Sequence, residues 1–203
     1  MKLATFIFQL SSPYFAASEK KDSGELNLMA VFSEKGLCGL SIAGKELPCP
    51  FCHGIDEFDN PQVIAQRFED LKDKLLIRMN GGQADMDWRA FDLSDQPAYH
   101  VRVWKAMHAI PFGKIATYGQ ITKAAGSPKA SRACGQACGA NPILLFIPCH
   151  RVVSSTGLGG FGSGLKWKKR FLKMEGVDFR ELHTALPSAP AHRLPKRQAA
   201  LSR

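Results

Sequence analysis

Apolar and polar positions in the first half of the chain follow patterns typical of strands and one helix. The stretches LNLMAVFS (26–33) and GLCGLSIAG (36–44) predict two strands joined by a turn at Glu34–Lys35–Gly36. The N-terminal stretch MKLATFIFQLSSPYFAAS predicts a strand before them. It also has a weak likeness to a signal peptide, but its apolar run is short and is interrupted by Gln9, which favours the strand.

A helix is predicted after these strands. Asn60 and Pro61 supply an N-cap and a proline at the first helical position. Apolar residues then recur three or four positions apart on one helix face: Ile64, Phe68, Leu71 and Leu75. The helix is expected to end at Gly81–Gly82. A few strands with one helix predict a small α/β domain over residues 1–95.

The second half of the chain has the pattern of a mostly helical domain. A helix between Pro97 and Pro111 has a predicted buried stripe of Val101, Trp104, His108 and Ile110. Two short helices follow, at 119–125 and 128–139, with a tight turn at Gly126 between them. This arrangement matches a helix-turn-helix, although an ordinary helical hairpin has the same spacing.

The rest of the second half is predicted to hold a buried strand, a glycine-rich loop and a last helix. The apolar run LLFI (144–147) predicts the strand, which Pro148 ends, and residues 155–164 predict a glycine-rich hairpin or loop. The last helix is closed by Gly176. Its predicted apolar face consists of Leu165, Trp167, Phe171, Leu172 and Met174. Residues 183–203 have the composition of a disordered basic tail.

Charge is distributed unequally between the two halves. Residues 1–97 carry ten lysines and arginines against fifteen aspartates and glutamates, whereas residues 98–203 carry seventeen against three. A polyanionic partner such as nucleic acid would explain a basic half of this kind, and a solvated basic face with a basic tail is the alternative. No apolar run approaches the length of about 18 residues that a membrane span requires.

The six cysteines form no recognisable disulfide framework, which favours a reducing, cytoplasmic compartment. The cluster CPFCH (49–53) resembles a haem attachment pattern or half of a zinc site, with Cys38 as a further ligand. Haem attachment requires export, and His53 follows Cys52 too closely for easy shared coordination. A surface turn is therefore the favoured interpretation, and no metal or other cofactor is expected.

A second cluster places Cys149, His150 and Arg151 directly after the predicted buried strand. A cysteine is an effective nucleophile only as its thiolate, which needs a base or positive charge nearby. Adjacent residues of an extended strand point to opposite faces, so a bridging water is a natural link between the thiol and the imidazole. Taken alone, this cluster favours a buried structural cysteine.

The predicted helix 128–139 has unusually small side chains. Helices that recognise bases in the major groove carry long polar side chains, and this helix offers mainly Arg132 and Gln136. Small side chains allow a close approach to another backbone. The helix therefore suits insertion into a DNA groove without sequence recognition, or tight packing against a neighbouring helix.

Four motifs together resemble one known family. The motifs ATYGQI (116–121), PKASRACG (128–135), GANP (139–142) and IPCHRVV (147–153) resemble, in order and approximate spacing, those of the O6-alkylguanine-DNA alkyltransferases. The resemblance covers residues 97–177. It implies an α/β (α+β) fold, in which the small N-terminal strand-plus-helix domain is followed by a mostly helical, winged-helix-like DNA-binding domain over residues 96–182 with a helix-turn-helix.

The resemblance also implies the catalytic residues. Cys149 would attack the alkyl carbon on guanine O6 and keep the group as a thioether, so each molecule acts once. His150 would act as the base through a water, oriented by Glu175. Tyr118 would donate a hydrogen bond to the departing guanine, and Asn141 would brace the active-site turn.

The DNA-binding and pocket residues implied by the resemblance lie around these positions. Arg132 would enter the base stack in place of the flipped nucleotide. The other expected DNA-binding residues are Lys129, Ser131, Ala133, Gly135 and Arg151, and the expected base pocket comprises Val152, Phe161, Gly162, Ser163 and Lys168. Better-known eukaryotic members have a Tyr-Ser pair where this chain has Phe161–Gly162, in a loop one residue shorter. This leaves open the pocket width and the bulk of the alkyl groups accepted.

The sequence therefore predicts a single-turnover DNA repair alkyltransferase that acts on O6-alkylguanine, and on O4-alkylthymine, in double-stranded DNA. We expect a cytoplasmic monomer without a membrane segment. The alternative is a non-catalytic lesion-binding protein of the same fold, but such binders lack the cysteine that this chain has at position 149.

Overall fold

A three-stranded antiparallel sheet begins the fold. The structure, a computed structural model, describes residues 2–14, 25–43, 58–128 and 130–177. The strands are β1 (Ala4–Ser11), β2 (Glu25–Phe32) and β3 (Leu37–Ile42), in the order β1-β2-β3. The strand predicted near the N-terminus is therefore confirmed, as are the two that follow. The cluster CPFCH, Lys129 and the tail 183–203 lie outside the described residues.

Helix α1 (Pro61–Met79) packs on one face of this sheet. The ring of Phe68 stacks on Phe6 of β1 with centroids 4.1 Å apart. Pro61 occupies the first turn as predicted, but the side chain of Asn60 makes no capping hydrogen bond; its backbone carbonyl accepts from Val63 instead. The buried face of α1 comprises Ile64, Leu71, Leu75, Arg78 and Met79, so it includes a charged residue that the apolar pattern did not predict.

The described part of the second half contains four α-helices and a small parallel sheet. The helices are α2 (Ala98–His108), α3 (Tyr118–Ala124), α4 (Ser131–Gly139) and α5 (Leu165–Met174). Strands β4 (Ala116–Thr117) and β5 (Val152–Val153) pair in parallel. A capping box at Thr117 and Gln120 starts α3, which packs against α4. The mixed helix-and-strand fold is confirmed, while the helix-turn-helix designation of α3 and α4 stays a prediction.

Three expectations for the helices need correction. The buried face of α2 is Val103, Trp104 and Met107, because α2 packs against α4, where the indole nitrogen of Trp104 donates to the carbonyl of Ala137 at 2.7 Å. Val101 and His108 are consequently only half-buried. Helix α4 begins at Ser131 rather than Pro128. In α5, Leu165 is 47% exposed and is not part of the apolar face.

The predicted strand LLFI (144–147) is wrong. These residues are buried, but they form successive turns, and Leu145 has a φ of +70°, which a strand does not allow. The amide of Phe146 donates to Leu144, and the amide of Ile147 donates to Ile143. A short apolar run indicates burial, and it does not by itself distinguish a strand from another buried backbone conformation.

The apolar core continues from the sheet into the second half of the chain. The amide of Leu40 in β3 donates to the carbonyl of Pro142 at 2.8 Å, and the amide of Leu144 donates to the carbonyl of Leu40 at 2.8 Å. One buried cluster links β1–β3 and α1 with α2, α4 and α5. The domain boundary predicted at residues 95–96 stays a prediction. Within the described parts of the chain, no helix combines the length and apolarity needed to cross a membrane.

Candidate active site

Asn141 organises the backbone turn that leads to the cysteine. It follows α4 directly, and its Oδ1 accepts a hydrogen bond from the amide of Ile143 at 3.1 Å. Its Nδ2 donates to the carbonyl of Ile147 at 2.7 Å and lies 3.1 Å from the Sγ atom of Cys149. One side chain therefore ties both ends of the buried turn and contacts the thiol, as a bracing role requires.

Cys149 begins a short 3-10 turn, Cys149–Arg151, after Pro148. The thiol is half-buried. Burial raises the pKa of Cys149, and the hydrogen bond from Asn141 and the charge of Lys168 oppose that rise without cancelling it. The cysteine is therefore a thiol at neutral pH. A reaction in which its thiolate attacks requires a base to remove the proton.

His150 supplies a neutral imidazole behind the cysteine. The ring is fully buried, and Nε2 lies 2.8 Å from Oε1 of Glu175. Burial lowers the pKa of His150, and the charges of Arg151 and Arg78 act in the same direction against the opposite effect of Glu175. A neutral ring that donates from Nε2 to a carboxylate has its lone pair on Nδ1. Within the described part of the chain, Nδ1 has no hydrogen-bond partner, so it is free to accept a proton.

Glu175 follows the last turn of α5, where a carboxylate is disfavoured by the helix dipole. Its side chain is buried and accepts hydrogen bonds from Nε and Nη2 of Arg151, at 2.7 and 2.8 Å, as well as from His150. Burial alone would raise the pKa of Glu175, but these donors outweigh it and lower the pKa to about 2. The carboxylate is therefore ionised and fixes the orientation and tautomer of His150.

Arg151 is not placed where the sequence predicted. Its guanidinium is buried, paired with Glu175, and donates from Nη1 to the carbonyl of Ile110 at 2.6 Å. All of these contacts point into the protein. The expectation that Arg151 binds DNA is corrected, because a buried and fully paired guanidinium does not reach a phosphate.

A cavity of about 140 Å³ opens in front of the thiol. Helix α4 and the glycine-rich loop form opposite parts of its wall. The lining residues are Tyr118, Gly135, Cys138, Gly139, Cys149, Gly160, Phe161 and Gly162. The volume is below the range of about 300–1,000 Å³ typical of drug-sized ligands, so the cavity suits one small group.

Tyr118 begins α3 and forms another part of the cavity wall. Burial raises the pKa of its phenol, so the group keeps its proton and can donate a hydrogen bond. Gly159 packs directly beside the ring: a Cβ atom there would lie 3.1 Å from the ring edge, and the φ of +67° also favours glycine.

Lys168 holds the glycine-rich loop against β5. Its Nζ donates to the carbonyls of Val152, Leu158 and Gly160 at 2.6, 2.5 and 3.1 Å. Burial lowers the pKa of Lys168 to about 8, opposed by the nearby cysteines. Val152 and Lys168 were predicted to line the base pocket, but both are buried behind its wall and support it from there.

The remaining predicted residues lie near the cavity mouth or on the outer face of α4. Ser131 and Arg132 are exposed in its first turn, and Ala133 is half-buried. Ser163 is half-buried and lies next to the lining residue Gly162. Cys138, Gly139 and Gly160 also line the cavity, although nothing in the sequence pattern marks them as lining residues. Arg78 was likewise not predicted from the sequence; it continues the apolar stripe of α1 three positions after Leu75.

Comparison with known proteins gives consistent matches over this region. Residues 98–177 match the family model described as 6-O-methylguanine DNA methyltransferase, DNA binding domain. A methylated-DNA–protein-cysteine methyltransferase of Mycolicibacterium paratuberculosis is 36% identical over 118 residues, covering 58% of this chain and 68% of the relative. One of the same description from Methanosarcina acetivorans is 46% identical over 92 residues, covering 43% of this chain. The match spans only 59% of that relative's length.

A solved structure extends the similarity to most of the chain. Mycobacterium tuberculosis OGT in complex with DNA superimposes with a TM-score of 0.64 at 25% sequence identity. The superposition covers 90% of this chain and 99% of that one, so the likeness includes the N-terminal sheet as well as the half that carries Cys149.

Proposed function

The chain belongs to the methylated-DNA–protein-cysteine methyltransferase family, and from that premise we propose that it repairs DNA by moving an alkyl group from O6-alkylguanine to its own Cys149. The observation that carries the proposal is the hydrogen-bonded series from Asn141 to Cys149 and from His150 to Glu175 at the cavity. This series provides a held thiol, a neutral base and a fixed carboxylate.

The reaction is a displacement at the alkyl carbon. The Sγ atom of Cys149 forms a bond to that carbon while the bond from the carbon to guanine O6 breaks. The thiol proton passes through a bridging water to Nδ1 of His150, which Glu175 keeps in the accepting tautomer. The guanine leaves with the electron pair of the broken bond and takes up a proton from water, while His150 returns its proton to water, so that a hydrogen replaces the alkyl group on guanine. The protein keeps a thioether that no step removes. Each molecule therefore acts once.

Tyr118 stabilises the leaving guanine in this scheme. Charge develops on the guanine ring as the bond to O6 breaks, and the protonated phenol in the cavity wall donates a hydrogen bond to it. The pocket lined by α4 and the glycine-rich loop would hold the base, with Phe161 and Gly162 in its wall. Lys168 would preserve the shape of the pocket by holding the loop.

The DNA-binding surface is proposed to be α4 with the surrounding basic face. Because the thiol lies at a cavity, the target base must leave the duplex to reach it. A Cβ added at Gly135 would meet no atom within 4 Å, because α4 is open where it lines the cavity, and small side chains there let a nucleotide approach the helix closely. Arg132 in the first turn of α4 would fill the space that the base leaves, with Ser131 beside it. Lys129 is also proposed to bind DNA.

The wider organisation follows from the same proposal. Residues 96–182 would form the alkyltransferase and DNA-binding domain, with α3 and α4 as its helix-turn-helix, and residues 1–95 the supporting domain. The protein would act as a cytoplasmic monomer on double-stranded DNA, on O4-alkylthymine as well as O6-alkylguanine. The presence of Cys149 favours transfer over lesion binding alone.

Repair of a duplex that contains O6-methylguanine tests this function. With lesions in excess, we expect the number repaired to equal the number of protein molecules and then to stop, because the thioether is permanent. The Cys149→Ala variant should bind the duplex as the wild type does and repair none of it, since the DNA-contacting face and the thiol are different groups. Continued turnover, or no repair by the wild type, would contradict the proposal.

A further inference from the structure

Arg78 is a buried charge that the mechanism above does not use. It lies in the last turn of α1, in the half of the chain that supplies none of the proposed catalytic residues. Only 2% of the residue is exposed, and it is among the largest fully buried side chains. A guanidinium is seldom buried without a specific set of partners, so its contacts indicate its role.

The guanidinium holds the turn that leads to Cys149. Its Nη1 donates to the carbonyl of Leu145 at 3.2 Å, and its Cζ atom lies 4.8 Å from the ring centroid of Phe146. Leu145 is the non-glycine residue with positive φ in the described chain. This conformation is unfavourable for leucine and persists only where surrounding contacts impose it. Arg78 therefore fixes, from the N-terminal half, the backbone four residues before the thiol.

The other contacts of Arg78 anchor it at the end of α1. Its Nε donates to the carbonyl of Ala84 at 2.6 Å, and its Nη2 pairs with the half-exposed carboxylate of Asp85 at 2.9 Å. Burial lowers the pKa of Arg78 to about 10, and the charge of Arg151 contributes to that decrease. The group still carries its positive charge at neutral pH.

The same guanidinium also reaches the charged pair behind the cysteine. Nη1 lies 3.8 Å from Oε1 of Glu175, the oxygen that accepts from His150. The charged groups that face His150 are therefore Glu175, Arg151 and Arg78, with the thiol of Cys149 next in sequence. Burial is the main cause of the lowered pKa of His150, and the positive charge of Arg78 acts in the same direction. Both disfavour protonation, so the imidazole stays available as a base.

We propose that Arg78 is a positioning residue for alkyl transfer: it links α1 to the Leu145–Phe146 turn and to the Glu175 carboxylate, and so holds Cys149 and His150 in their reactive arrangement. The inference rests on the proposed function. It gives the N-terminal half a defined part in the chemistry of the C-terminal half, carried by one side chain.

Three full-length variants test this role. Arg78→Met removes the charge and the hydrogen-bond donors. Arg78→Lys keeps the charge but cannot reach the carbonyls of Leu145 and Ala84 together. The control, Arg67→Met, replaces an arginine with methionine at the surface of α1. Two quantities are measured in each: the single-turnover rate of transfer from an O6-methylguanine duplex as a function of pH, and the titration of the His150 ring by NMR without DNA. Thermal unfolding shows which variants are folded.

We expect Arg78→Met to lower the transfer rate on the order of tenfold or more, because small displacements of reacting groups are costly. Its His150 should protonate at higher pH than in the wild type, so the rate should begin to fall at a higher pH as the solution is acidified. Arg78→Lys should react more slowly than the wild type while keeping the wild-type acid limb. Arg67→Met should match the wild type in both measurements.

A folded Arg78→Met protein with the wild-type rate and the wild-type His150 titration would overturn the proposal. If Arg78→Met does not fold, Arg78→Lys decides: a folded lysine variant at the full wild-type rate would show that Arg78 only stabilises the fold. Failure of the wild type to transfer would contradict the proposed function instead. The His150 titration still tests the Arg78 contact in that case, since it needs neither DNA nor transfer.

Discussion

Glu175 shows how a single residue depends on several parts of the chain. Its carboxylate is buried at a helix end that disfavours negative charge, yet it is ionised because His150, Arg151 and Arg78 surround it. His150 and Arg151 lie within two positions of Cys149 and were named as site residues from the sequence. Arg151, however, was expected to bind DNA. A residue pattern identifies which groups are present, but it does not show which way an arginine points.

The lowered pKa of Glu175 predicts a specific loss of stability in acid. A carboxyl group whose folded-state pKa lies near 2, below its usual 4.5, stabilises the fold above about pH 4.5 and loses that contribution as the pH falls toward 2. Urea unfolding at a series of pH values should therefore show a weaker acid dependence in Glu175→Gln than in the wild type. Glu69→Gln, which removes an exposed carboxylate paired with Lys72, should retain the wild-type dependence.

The outcome that would contradict this assignment is equally specific. If the free energy of unfolding of Glu175→Gln fell with acid in parallel with that of the wild type, the Glu175 carboxylate would not be the group that titrates. Its pairing with Arg151 would then contribute little to the folded state.

Helix α4 is the element on which the proposed DNA contact depends. Its buried face packs through Cys134, Ala137 and Cys138, and its outer face presents Arg132 and small residues. The tight packing considered from the sequence therefore applies to the buried face of the helix, and insertion of its outer face into a DNA groove stays a proposal. Its glycines also form part of the cavity wall, so the helix lies between the proposed groove contact and the thiol.

The Arg132→Ala variant tests whether Arg132 acts in extruding the base from the duplex or in the alkyl transfer itself. We expect this variant to repair O6-methylguanine in a duplex far more slowly than the wild type, because no side chain fills the place of the flipped base. Its reaction with free O6-benzylguanine should be nearly unchanged, since that substrate needs no extrusion. Lys105→Ala, which removes an exposed charge on α2, serves as the control. Equal losses with both substrates would argue against this role for Arg132.

The elements differ in how far their residues predict them. The strands of the sheet and α1 follow from local alternation and periodicity, and the structure has them close to the expected positions. The turn at 143–147 could not be predicted in the same way, because its conformation is imposed by Asn141 and Arg78. Contacts between residues 67 positions apart, such as Arg78 with Leu145, leave no local pattern.

The two halves of the molecule carry opposite net charge, but they share one apolar core. Strand β3 pairs with the segment after Asn141, and α1 inserts Arg78 behind the reactive turn. The acidic N-terminal half therefore contacts the backbone segment that leads to Cys149, through β3 and through Arg78. The basic half carries the proposed DNA surface and the thiol, which agrees with the concentration of positive charge there.

Peptide mass spectrometry after reaction with an O6-methylguanine duplex identifies the residue that accepts the alkyl group. We expect a mass gain of one methylene group on the peptide that contains Cys149 and on no other peptide. Cys138 lines the same cavity, and the hydrogen bond with Cys134, together with burial, raises its pKa, so it provides an internal comparison. A methyl group on Cys138, or loss of the lesion with Cys149 unmodified, would show that Cys149 is not the acceptor.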